Sequence, residues 1–196
     1  MAFKEISPKL QLNFDEYVET WCSLLTEYYA QGLDSAITDD VLGLDEQRLA
    51  GYGLELATVV LIIGMQIWGG RKGMPDEAKK KVHSAVVASY YEGLYGKDAP
   101  EFQKECVGFF NRKNDIFGEL CRNLGGTDEK ARQMELIGLA RYLVAQVSDK
   151  SERQNQKAIE LIGLLLINAG RACARLAKNT SQSVQVAGKP RFIVQK

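Results

Sequence analysis

Few side chains in this sequence can do acid–base, nucleophilic or metal chemistry. It has one histidine, His83, and four cysteines, Cys22, Cys106, Cys121 and Cys173. A Ser or Cys nucleophile needs a histidine base and an orienting acid. Only His83 could be that base, and nothing in the sequence marks its partner. A di-iron site in a helical bundle needs two Glu-x-x-His pairs. A single histidine excludes this, and it excludes the HExxH metalloprotease pattern for the same reason. His83 lies close to Lys79, Lys80 and Lys81, which reads as exposed helix surface. The cysteines are widely spread and none falls in a CxxC. They read as reduced, buried, small hydrophobes of a cytoplasmic protein, not as a disulfide framework or zinc site.

The acidic residues offer one other chemistry. Asp39-Asp40 with Asp45 resembles the aspartate-rich motif of isoprenyl-transferring enzymes. That resemblance implies a magnesium ion holding a diphosphate in an all-α enzyme. Such enzymes need a second acidic cluster on a facing helix. Asn114-Asp115 with Glu119 is the nearest candidate, and its spacing departs from the usual second motif. Asp39-Asp40 also falls in a connector, where Asp is favoured as a turn former or cap. Glu16 and Glu19 are similar to the first half of the Glu-x-x-Glu motif of all-α nucleotide pyrophosphohydrolases. No matching Glu-x-x-Asp follows on the next helix. No metal or other cofactor is expected.

The stretch GMQIWGGRKG, Gly64 to Gly73, follows the most apolar run of the chain and has the outline of a phosphate loop. A Walker A loop needs G-x4-G-K-[ST], so that the lysine reaches the phosphates and the hydroxyl reaches magnesium. From Gly64 and Gly69, Gly70 stands where lysine is required and Arg71 where the hydroxyl is required. No G-x-G-x-x-G is present either. Pro75 then removes a backbone donor from the next helix, and Asp76 and Glu77 place negative charge where an anion would sit. The stretch reads as a helix end followed by a turn.

Nucleic-acid binding would rest on local patches, because 25 basic residues balance 25 acidic ones. Arg171, Arg175 and Lys178 recur at i, i+4 and i+7 along one face of the last helix. Lys189 and Arg191 lie in the segment after it. Such a stripe suits a phosphate backbone. Basic residues near a helix C-terminus also complement its dipole.

These residues must be carried by helices. Apolar residues make up 45% of the 196 positions and charged residues 26%, ordinary values for one globular domain. Six helical segments are predicted. The first is Phe14–Gln31, capped by Asn13 and stopped by Gly32. The second runs from about Asp45 to Trp68, the third from Pro75 to Tyr95, and the fourth from about Pro100 to Asn123. The fifth starts from Thr127 as N-cap and ends near Val147. The sixth is opened by a Ser151/Gln154 capping box and reaches about Lys178. Residues 33–44 are a connector. TVVLIIG is β-branched enough for a strand, but it lacks a sheet to join and is read as helix. The run Leu56 to Trp68 would span roughly 20 Å as helix, short of the ~30 Å membrane core. No membrane association is expected.

The expected fold is an all-α, single-domain bundle of about six helices over residues 1–178, with an extended polar and basic C-terminal tail over 179–196. In that tail Val184, Val186, Phe192, Ile193 and Val194 could pair as an added strand or fill a groove on a partner. Glu135-Leu-Ile-Gly-Leu139 recurs as Glu160-Leu-Ile-Gly-Leu164, with Gly138 and Gly163 placed to let two antiparallel helices approach closely. Segments two and six are apolar nearly all round, and the pairs Tyr28-Tyr29 and Tyr90-Tyr91 are expected on the surface, where Tyr suits an interface. Tyr90, Tyr91, Phe192, Ile193 and Val194 are therefore candidate interface residues. The favoured function is a non-enzymatic helical protein acting as a homo-oligomer or as a subunit of a larger assembly. The alternatives are a nucleoprotein subunit using Arg171, Arg175, Lys178, Lys189 and Arg191, and a magnesium enzyme using Asp39, Asp40 and Asp45.

Overall fold

The computed structural model describes residues 9–38, 42–70, 76–97, 100–186 and 189–195. A short strand β1 (Lys9–Leu12) leads into α1 (Phe14–Thr38), followed by α2 (Glu46–Gly69), α3 (Asp76–Tyr95), α4 (Pro100–Leu120), α5 (Glu129–Val147) and α6 (Gln156–Asn179). Strands β2 (Thr180–Val186) and β3 (Lys189–Gln195) complete the order. The described residues thus form an all-α bundle of six helices with a small sheet at one end.

The hub is α2. It packs against α1, α3, α4, α5 and α6. Those five close a ring: α1 meets α3 and α6, α3 meets α4, and α5 meets α6. The ring closes between α4 and α5, where Phe117 meets Tyr142 edge-on at 4.8 Å. Every residue from Leu56 to Met65 is buried. An apolar residue at each of these positions is favourable because every direction around α2 is protein; each large aliphatic side chain so buried contributes about 1.5–3 kcal/mol. By length and composition α2 could cross a membrane, but 72% of its apolar window is buried inside the fold. The chain itself therefore covers its most apolar helix.

The helix ends follow local chemistry. Asn13 and Glu16 form a reciprocal capping box: Asn13 Oδ1 accepts from the Glu16 amide at 2.9 Å, and the Asn13 amide donates to Glu16 Oε2 at 2.7 Å. Asp45 caps α2 by accepting from the Arg48 amide at 2.8 Å. Asp128, one residue beyond the expected Thr127, caps α5 by accepting from the Ala131 amide. The Ser151 amide does donate to Gln154 Oε1 at 3.0 Å, but this bond closes a turn, and α6 starts after Asn155. Asn155 is buried there, accepting from Ser148 Oγ and donating to the Lys150 carbonyl.

Gly32 does not stop α1, which continues to Thr38. A Cβ at Gly32 would lie 2.6 Å from Leu165 Cδ2 and 2.8 Å from Leu56 Cδ2. The glycine is a packing device where α1, α2 and α6 converge. Gly163 differs: a Cβ there would lie 3.8 Å from Ile137 and Ala140, an ordinary contact, so the α5–α6 crossing does not require the glycine. Gly138, the other glycine of the repeated pentapeptide, is exposed, with nothing within 4 Å of where its Cβ would stand.

The segment expected as an extended tail is extended, and its described residues pair as two antiparallel strands. The sheet order is β1-β3-β2, all antiparallel, with Phe192 opposite Leu12 on one side and Gln182 on the other. Phe192 is fully buried and stacks on Tyr17 at 4.1 Å, beside an aromatic group that includes Trp21 and Trp68. Tyr17 Oη donates to Thr180 Oγ1 at 3.3 Å, tying α1 to the start of β2. The apolar residues of 180–195 thus find a strand partner in their own chain. Backbones of Ile193 and Val194 pair with Gln11 and Leu10; their side chains lie outside the described residues.

Tyr90 and Tyr91 also correct the expected surface. They are 1% and 0% exposed, because α3 turns this face onto the α1–α2 layer. Thr58 Oγ1 donates to the Leu54 carbonyl at 2.8 Å, so Tyr91 Oη, 2.9 Å away, donates to Thr58. Tyr90 Oη is buried with no hydrogen-bond partner among the described residues. A buried hydroxyl without a partner costs free energy that phenylalanine avoids. Tyr90→Phe is therefore expected to leave stability unchanged or raise it by about 1 kcal/mol, read from urea unfolding midpoints at constant slope. Tyr91→Phe, which breaks the bond to Thr58, should be the more damaging of the two.

Candidate functional site

Three places merit weighing: a basic groove, a polar cluster inside the bundle, and an exposed apolar face. The basic groove lies between the first turns of α5 and the C-terminal half of α6. Leu136, Ile167 and Ala174 line its apolar part, and Glu129, Arg132, Gln133, Arg171 and Arg175 supply the polar groups. Its volume is about 250 Å³. Arg171, Arg175 and Lys178 are all exposed, as their spacing suggests. Arg132, from the neighbouring helix, joins them, and the sequence could not show that pairing. Arg171 Nη2 donates to Glu129 Oε1 at 3.1 Å. Arg132 Nη2 donates to the Gly126 carbonyl at 3.2 Å, while its buried Nε has no acceptor among the described residues. Arg175 makes no hydrogen bond or ion pair among them. Lys189 and Arg191 sit on β3, opposite Val186 and Ser183 of β2; their side chains are outside the described residues.

The polar cluster was not found from sequence. Lys113 on α4 donates to Glu55 Oε1 on α2 at 2.9 Å and to Tyr142 Oη on α5. Its ammonium also lies 5.0 Å from the Phe109 ring centroid and 4.9 Å from that of Tyr142. The Lys113 and Glu55 side chains are only 15% and 14% exposed. Burial pulls the Lys113 pKa down, but the hydrogen bonds to Tyr142 and Glu55 and the Glu55 charge outweigh it, leaving the group above ordinary lysine. Lys113 therefore stays charged, which suits a structural ion pair and not a nucleophile. The available signal was Glu55 itself, an acid inside an apolar helix.

Other expected groups fall elsewhere. Asp39 and Asp40 lie outside the described residues, and Asp45 is occupied as the α2 cap. Among the described residues, no three His, Cys, Asp or Glu side chains gather as a metal site would require. All four cysteines are free thiols. Burial is the leading cause of the high pKa of each, pushing Cys22 up to about 11 and Cys121 and Cys173 up to about 12. Their thiolate fraction at neutral pH is negligible, so none is primed for attack.

His83 is half-buried, not exposed, with its ring 5.8 Å from that of Phe110. Burial lowers its pKa below the ordinary 6.5. A histidine whose folded pKa is depressed favours the fold when neutral. Its contribution is complete above about pH 6.5 and is lost as pH falls through the folded value. Acidifying from about pH 7.5 to 5 should therefore destabilise the wild type more than His83→Phe, as measured by denaturant unfolding at each pH.

Large apolar side chains are also exposed on α5 and α6, Met134 and Gly138 of α5 lying beside Phe117 and Tyr142. Met134 is 66% exposed, Leu164 56% and Leu161 37%. Gly138 is also exposed there, and Ile116 on α4 is 58% exposed. The repeated pentapeptide explains part of this. In the α5 copy Leu136 and Leu139 point into the core. In the α6 copy Ile162 and Gly163 point inward, so Leu161 and Leu164 point out. The same five residues are thus used in two rotational phases.

No protein-family model, curated protein or solved structure matches this chain.

Proposed function

We propose that this protein works by association, as a helical building block that joins a second copy of itself through the outer face of α5 and α6. The observation that carries this reading is the phase of the α6 pentapeptide, which exposes Leu161 and Leu164 one turn apart. Leu164 follows Gly163, which meets Ile137 and Ala140 of α5, and Gly138 of α5 is exposed. Met134 extends the strip by a further turn. Two leucines, a methionine and a bare glycine backbone make a face that another helix can approach closely. The balanced charge of the chain favours a like partner, since two copies feel no net repulsion. Four free, high-pKa thiols suit a reducing, cytoplasmic setting.

Light scattering after size exclusion, across a concentration series, should show a mass that rises to at least a dimer. Leu161→Glu with Leu164→Glu should return it to the monomer while leaving the helical circular dichroism unchanged, because neither side chain contributes to the core. A wild type that remains monomeric at every concentration overturns the reading.

A further inference from the structure

We infer that the groove between α5 and α6 is a binding site for a phosphate group, held by Arg132, Arg171 and Arg175. Three guanidinium groups from two helices converge on one cavity of about 250 Å³. A water molecule takes ~30 Å³ of liquid volume, so a phosphate fits with room for a substituent. Guanidinium is the side chain best matched to phosphate oxygens, because its planar fork presents paired donors. Only one carboxylate, Glu129, faces these three cations, and it is committed to Arg171 at 3.1 Å. Arg175 is exposed on the groove wall and has neither hydrogen bond nor ion pair among the described residues, so its guanidinium is available.

The floor of Leu136, Ile167 and Ala174 lowers the local polarity and strengthens the attraction. Farther along the same face of α6 stands Lys178, seven residues and roughly 10 Å beyond Arg171. A second phosphate of the same ligand could reach it. The shared chemistry is therefore a phosphate group. Its carrier is either a small phosphorylated molecule or a nucleic-acid backbone. Glu129 acts as the competing anion, leaving Arg171 when the ligand arrives.

The test uses the full chain and two probes at low ionic strength: inorganic phosphate by calorimetry, and a fluorescein-labelled single-stranded oligonucleotide by anisotropy. Phosphate should bind and should protect the protein thermally. Arg175→Gln, an exposed change that does not endanger folding, should weaken binding about tenfold, the order of a lost charge-assisted bond pair. Arg132→Gln should weaken it by a similar factor. Glu129→Gln should tighten it several-fold by freeing Arg171. Lys81→Gln on α3 removes the same charge at a distance and should change little. Oligonucleotide binding that phosphate displaces identifies a nucleic-acid backbone as the carrier. Phosphate binding without oligonucleotide binding identifies a small phosphorylated ligand, and either result supports the site. Absence of phosphate binding at low salt overturns it, as does an Arg175→Gln protein that binds like Lys81→Gln. The monomer–dimer measurement above is independent of this outcome.

Discussion

Gly70→Ala is expected to destabilise the protein by about 3 kcal/mol, a fall in Tm of roughly 10 °C for a chain of this size. The added methyl would stand 2.4 Å from the Gly125 carbonyl oxygen and 2.5 Å from its Cα. Both are backbone atoms, and they cannot swing aside as a side chain would. The conformation is not at fault, since Gly70 has φ −69° and ψ −6°, which any residue adopts. The obstacle is space alone. Gly125→Ala should be comparably harmful, because its Cβ would lie 2.9 Å from the Gln66 carbonyl oxygen and 2.9 Å from Gly70 Cα. The two substitutions share one contact, so the double variant should cost less than their sum. Gly69→Ala is the control. Nothing lies within 4 Å of its Cβ position, and as a helical residue it should be neutral or gain slightly. Scanning calorimetry of the three single variants decides the matter. A stable Gly70→Ala protein would mean that the α2 end and the α4–α5 turn do not touch.

The second large effect concerns the ion pair inside the ring. Glu55→Ala leaves the Lys113 ammonium largely buried, with only Tyr142 Oη as acceptor, and should cost about 3 kcal/mol. Replacing both partners at once, Glu55→Leu with Lys113→Met, should recover most of that loss. Two apolar side chains of similar volume need no counter-charge and still fill the junction of α2, α4 and α5. Urea unfolding of the single and double variants gives the coupling directly. If the single change is as mild as an exposed substitution, the pair is solvated and the rings of Phe109 and Tyr142 do not shield it.

Much of the bundle could be read from local signals. The cap at Asn13, the start near Asp45 and the acids opening α3 mark helix ends with short-range chemistry, and short-range chemistry is what a sequence displays. The failures share one cause. Gly32 looked like a stop and is a contact with Leu165 and Leu56, residues far along the chain. Gly69-Gly70 looked like the outline of a phosphate loop, while Gly70 is there because another glycine backbone crosses it. Tyr90 and Tyr91 looked like surface aromatics, and only the packing of α3 on its neighbours buries them. Arg171 and Arg175 were visible as a stripe; Arg132 was not, because its proximity depends on how α5 docks. Glu55 and Lys113 stand 58 residues apart, and no periodicity links them.

The order of the three strands bears on how the protein reaches its final form. β3 is the middle strand, yet among the described elements it follows all six helices, while β1 precedes them. During synthesis β1 has no edge to pair with until all six helices have been made, and Tyr17 waits equally long for the ring of Phe192. The sheet therefore acts as a latch set by β3. The bundle can gather its helices as they emerge, but β1 is fastened only after translation has passed β3.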